Sequence, residues 1–135
     1  MAKKLVLPRV HVMVLCDRVQ ELGDEEDVFN LLGVRTRIYA DSFPYTPPRL
    51  YVYLQLSGHF GSASGAISVV HARTDQEVAR QLIPSIQFRG PLVLLPIYVR
   101  IRNCTFPEAG IYFIQTFFDG KLLGERFFEL IEGER

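Results

Sequence analysis

Three histidines, two cysteines, four serines and one acidic run are the residues of this 135-residue chain that could do chemistry. His11, His59 and His71 stand far apart, and no pair has the spacing of a local metal motif. Asp24, Glu25, Glu26 and Asp27 make a dense acidic turn, but calcium requires six to eight converging oxygens, so a solvated turn is the plainer expectation. Calcium binding at that loop is the alternative. Ser57, Ser62, Ser64 and Ser68 lack a G-x-S-x-G elbow, and neither Cys16 nor Cys104 has an adjacent His to activate it. Gly58-His59-Phe60-Gly61 and the Gly61 to Gly65 run precede no helix N-terminus that would cradle a phosphate. The expectation is therefore a protein that is not an enzyme, with no catalytic residues, no metal and no cofactor.

A second constellation suits recognition rather than reaction. If Val34/Ile38, Leu50/Val52/Leu54 and Ile97/Val99/Ile101 all face a core, alternation turns Arg35, Arg37, Tyr39, Tyr51, Tyr53, Tyr98, Arg100 and Arg102 outward. Tyrosine and arginine combine large apolar area with directional donors, the composition enriched at interfaces and on stacking faces. The alternative is that the strands carrying them lie in different sheets, which would scatter the set. Fifteen basic residues balance fifteen acidic ones, so no overall field draws the chain to nucleic acid, and none is expected as a partner.

These residues must be positioned by strands. Arg9 to Leu15, Val28 to Ala40, Arg49 to Ser57, Ala66 to Ala72 and Leu92 to Arg102 alternate apolar and polar positions with period two. Glu77 to Ile83 is a strand or a helical turn, since Glu, Ala, Arg and Gln are poor strand formers. Cys16 to Asp27 reads as an exposed turn, Gly58 to Gly65 as a flexible loop, and Pro84 to Pro91 as an extended connector. Gly33 marks a bulge or a close backbone approach, and Pro96 puts its strand at a sheet edge or a bulge. Ser42 to Pro48 contains three prolines and is placed as a stiff connector across one end.

The last strands matter most. Asp119-Gly120 separates two Phe-rich runs and predicts a two-residue type I′ turn. An unbroken ladder then sets Phe117 opposite Leu122, Phe113 opposite Arg126 and Tyr112 opposite Phe127, leaving Ile111, Phe113, Phe117, Leu122 and Phe128 on one face. Both faces of this hairpin are apolar, so the second face is expected to dock on another copy of the chain or on another protein. Gly110-Ile111-Tyr112 resembles the tyrosine corner of immunoglobulin-like sandwiches, with the Tyr112 hydroxyl bonded back to the preceding loop.

The fold class expected is all-β, an immunoglobulin-like Greek-key sandwich of about eight strands ending in a Phe-rich hairpin. It occupies one domain: an arm over 1–8, the sandwich over 9–131 and a tail over 132–135. The segments Leu15-Cys16-Asp17, Leu32-Gly33-Val34, Ser42-Phe43-Pro44, Pro48 to Tyr53 and Gly110-Ile111-Tyr112 with Asp119-Gly120 resemble a bacterial family of small domains of unknown function. That resemblance implies the sandwich and a bacterial cytoplasmic setting, and it transfers no site residue. No apolar run approaches the roughly 18 residues of a membrane helix, and Pro8, Arg9 and His11 interrupt a signal-like start. Cys16 and Cys104 are expected as buried free thiols. The function expected is a non-enzymatic protein-interaction or assembly module, with a glycan- or small-ligand-binding sandwich as the alternative.

Overall fold

The computed structural model describes residues 8–134. The expected arm therefore lies outside the described residues except for Pro8, and Glu132, expected in the tail, is the last residue of a strand. Among the described residues nine strands run in order: β1 (Arg9–Glu21), β2 (Phe29–Val34), β3 (Arg37–Ala40), β4 (Tyr51–Ser57), β5 (Phe60–His71), β6 (Glu77–Arg89), β7 (Leu95–Arg100), β8 (Gly110–Phe118) and β9 (Lys121–Glu132). They form a four-stranded sheet ordered β2-β1-β4-β7 and a five-stranded sheet ordered β3-β9-β8-β5-β6. The class is all-β, as the period-two pattern requires.

Four elements differ from the sequence reading, each for a physical reason. The segment from 28 to 40 is two strands in different sheets. Gly33 adopts φ +67, and β2 stays antiparallel to β1 while β3 crosses over to pair in parallel with β9. β1 runs on to Glu21 instead of turning at Cys16, because β2 supplies a ladder partner for its second half. The Gly/Ser segment 58–65 is largely strand β5. Small residues are wanted there: a Cβ on Gly65 would collide with the Phe117 carbonyl oxygen and press on the Phe118 ring. β6 continues through Pro84, which a strand at the sheet edge tolerates because its outer N–H groups need no partner. The ladder accommodates Pro84 by a register shift between Ala63 and Gly65. Pro96 likewise lies on β7, at the edge of the first sheet.

The core is the apolar layer between the sheets. Val52, Leu54 and Leu56 of β4 are fully buried, and Ile67, Tyr112, Ile114, Phe118 and Phe128 answer them from the second sheet. At one end, Phe106, Tyr112 and Phe128 pack ring against ring, with centroids 4.9 Å apart for Phe106 and Tyr112 and 5.8 Å for Phe106 and Phe128. The Tyr112 hydroxyl donates to the Glu108 carbonyl oxygen at 2.6 Å, so the expected bond back to the preceding loop is present. Burial and the coupling of three rings tie the start of β8 to the loop before it.

The terminal hairpin turns at Asp119 and Gly120, whose φ values of 51 and 75 are both positive, as a type I′ turn demands. Phe118 opposes Lys121 and Phe117 opposes Leu122. A bulge between Thr116 and Phe117 then shifts the pairing, so that Phe113 opposes Phe127 and Tyr112 opposes Phe128. The expected pairings of Phe113 with Arg126 and Tyr112 with Phe127 are corrected by one residue. Phe128 consequently enters the core at 2% exposure, and Phe127 stands outside at 70%.

Candidate functional site

Two regions bring candidate residues together. The first is the outer face of the five-stranded sheet. Its central strands β8 and β9 place Ile111, Phe113, Phe117, Leu122 and Phe127 on this side, and β5 and β6 extend the rows. Phe127, Phe113 and Val70 make one row, while Leu122, Phe117, Ala66 and Leu82 make another. Leu82 is 67% and Leu122 48% exposed. Between the two apolar rows runs a polar stripe: Gln115 donates to Glu125 at 2.8 Å, and Ser68 donates to Glu77 at 2.6 Å. Arg80 closes on Glu77 at 3.4 Å. Of the interface residues expected from sequence, Ile111, Phe113, Phe117 and Leu122 share this face, and Phe128 does not, because the bulge exchanges it for Phe127.

The Arg/Tyr set divides between two places, since β3 and β4 lie in different sheets. Tyr51, Tyr53, Tyr98 and Arg100 share the outer face of the four-stranded sheet, where Tyr51 opposes Arg100 and Tyr53 opposes Tyr98. That face is covered at Tyr53 and exposed at Tyr98 and Arg100. The tip of the β1–β2 hairpin lies across it, with the Phe29 ring 5.7 Å from Tyr53 and 5.8 Å from Tyr98, and Tyr53 is buried. Burial, then the neighbouring Glu21 carboxylate, pushes the Tyr98 hydroxyl above the usual phenol range. Arg100 lies 6.0 Å over the Tyr51 ring and donates to the Pro48 carbonyl oxygen. Arg102 lies beyond β7 and is exposed.

Arg35, Arg37 and Tyr39 belong to the second region, the strand crossover beside the proline connector. Arg35 grips Asp17 side-on, Nε to Oδ1 at 2.5 Å and Nη2 to Oδ2 at 2.7 Å. This bond raises the Arg35 pKa further above its ordinary value. Asp17, Arg35, Ile38, Tyr39, Tyr45, Pro47, Pro48, Arg49 and Leu50 enclose a crevice of about 320 Å³. Arg37 lines an adjoining hollow that shares Arg35 and Tyr39 with the crevice. Tyr45, Pro47 and Pro48 were missed from sequence because their connector has no periodicity to mark an exposed side, and Arg49 because it stands where that connector meets the strand.

The remaining candidates stay apart. Among the described residues, no group of three or more His, Cys, Asp or Glu gathers as a metal site. The acidic loop is partly spent on structure: Asp27 pairs with Arg89, which holds its carboxyl below the usual range. His71 is buried, accepts the Arg73 backbone N–H at Nδ1, and turns Nε2 toward Glu108 at 2.9 Å without hydrogen-bond alignment. Cys16 and Cys104 are free and buried, and burial pushes the Cys104 thiol up to about 12. No helix is long and apolar enough to cross a membrane among the described residues.

A family of unknown function, DUF6941, matches residues 11–130. The chain belongs to this family. The match spans β1 through most of β9 and so includes both candidate regions. No curated protein matches the chain. Among solved structures, it is similar to the Pseudomonas fluorescens alkylpurine DNA glycosylase AlkC bound to DNA containing an abasic site analog, at 13% identity and a TM-score of 0.51. The similarity covers 92% of this chain and 30% of that one, so the chain spans less than a third of the enzyme. Two expectations are corrected by it. A fold of this kind forms part of an enzyme bound to DNA, so neither enzymatic activity nor nucleic acid is excluded by the architecture, as zero net charge and missing motifs had suggested.

Proposed function

We propose that this protein is an interaction module that docks a partner protein on the outer face of its five-stranded sheet. The observation that carries the reading is the exposure of Phe127 and Leu82 beside Phe113, Phe117, Ile111 and Leu122 on one continuous sheet face. Fully burying one such side chain is worth about 1.5–3 kcal/mol, and solvent-facing sheet sides ordinarily alternate to polar residues. The partner fitted to this surface is apolar in two rows with polar groups between them, to meet the Glu125, Gln115, Ser68 and Glu77 stripe.

An immunoglobulin-like sandwich is the fold we infer beneath this surface. The order β1-β4-β7 parallels strands A-B-E of such domains, and β9-β8-β5 parallels G-F-C. The Tyr112 corner supports the same assignment.

The test pairs Phe127→Ser with Leu82→Ser. A photo-crosslinker at position 127 identifies the bound protein, which is then purified and titrated against wild type and double variant. At least tenfold weaker binding at an unchanged Tm supports the reading. Equal binding by the variant, or crosslinking only to an added DNA oligonucleotide, overturns it.

A further inference from the structure

We propose that the crevice between the β2–β3 crossover and the proline connector is a binding site for a small aromatic anion, a flat ring carrying one carboxylate or phosphate. This site is distinct from the protein-docking face and does not depend on it. Its volume of about 320 Å³ lies at the lower end of small-ligand pockets, which combine apolar walls with a few placed polar groups.

The walls have that character. Ile38 and Leu50, both buried, present an apolar floor, and Tyr39, Tyr45, Pro47 and Pro48 surround it with flat, stiff rings. The cationic groups are Arg35 and Arg49. Asp17 is the only acid among the lining residues, and Arg35 already grips it with two donors. A guanidinium has five N–H donors, so this side-on bond leaves three on Arg35 for a second acceptor. Arg49 is exposed and adds the charge that Asp17 does not cancel. The pocket thus carries a net positive charge of one at a rim above aromatic and apolar walls, which favours an anionic head and a ring-shaped body.

The connector is fixed before any ligand arrives. Tyr45 and Phe106 exchange backbone hydrogen bonds at 2.9 and 2.8 Å, and Thr46 bonds Thr105 between hydroxyls at 2.8 Å. Arg100 holds the Pro48 carbonyl, and Ile101 N–H donates to the Leu50 carbonyl at 2.8 Å. A wall held in place loses little entropy on binding.

Amide NMR titration of the full chain tests the proposal with four probes. 4-Hydroxyphenylacetate and adenosine monophosphate carry the proposed ring and anion from two chemical sources. Tyramine keeps the ring with a positive charge, and inorganic phosphate keeps the anion alone. One or both aromatic anions should shift Tyr39, Tyr45 and Arg49, with at least tenfold weaker response to tyramine and phosphate; whichever binds tighter identifies carboxylate or phosphate as the head. Arg49→Gln, a change at an exposed residue, should weaken that binding at least tenfold. Equal binding of tyramine, unchanged affinity in Arg49→Gln, or no shift at these residues with any probe overturns the assignment.

Discussion

The backbone of Gly33 passes so close to Asp17 that a side chain at position 33 would collide with the Asp17 carboxylate. Gly33 also holds φ +67, which L-residues rarely adopt. One glycine thereby turns the chain from the four-stranded sheet toward the other sheet and leaves Asp17 free to grip Arg35.

Gly33→Ala should therefore lower stability by about 1–3 kcal/mol, the scale of a strained left-handed residue. The clash predicts coupling as well: Asp17→Ala combined with Gly33→Ala should recover part of the loss, measured by a double-mutant cycle in urea. Strict additivity would show that the carboxylate is not what Gly33 makes room for.

Tyr112→Phe removes the donor that serves the Glu108 carbonyl while keeping the ring between Phe106 and Phe128. A loss of about 1 kcal/mol is expected, with an unchanged denaturant slope. No loss would mean that water replaces the hydroxyl at the corner.

The same corner predicts a pH dependence. The Arg73 hydrogen bond, more than His71, holds the Glu108 carboxyl below its usual range. A depressed carboxylate stabilises above its unfolded pKa of about 4.3, and that contribution is lost as pH falls through the lower folded value. Glu108→Gln should accordingly differ from wild type in Tm near neutral pH and converge with it on acidification below about pH 4. Arg73 is largely exposed and Glu108 half-exposed, so the difference should also shrink in high salt.

Much of the fold was legible because burial writes itself as alternation. Leu50 to Leu56 alternates cleanly and is the centre of the four-stranded sheet, and Asp119-Gly120 announced its turn through backbone sterics alone. What was not legible depended on neighbours. Ser62 to Gly65 reads as loop until Phe117 and Phe118 are seen to press on Gly65, and Pro84 reads as a break until β6 is seen to be an edge. The strands of the Arg/Tyr set lie in different sheets, the alternative that alternation leaves open, and by its pattern alone 28 to 40 is one strand. Gly33 carried the signal that it is not, and the crevice arises from that division. Tyr53 shows the other limit, since no local pattern reveals that Phe29 returns to cover it.

The bulge at Thr116 and Phe117 leads to the sharpest contrast between adjacent residues. An unbroken ladder would turn Tyr112 and Phe127 inward and Phe128 outward, and the shifted one reverses the two phenylalanines while leaving the turn unchanged. Phe128 packs on Phe106 and Tyr112 in the core, so Phe128→Ala should cost about 3–5 kcal/mol through lost transfer energy and an unfilled cavity. Phe127 is mostly in water, and Phe127→Ala should change stability by about 0.5 kcal/mol or less. Urea unfolding of the two single variants measures both. A large loss at Phe127 with a small one at Phe128 would restore the unbroken register and remove Phe127 from the docking face.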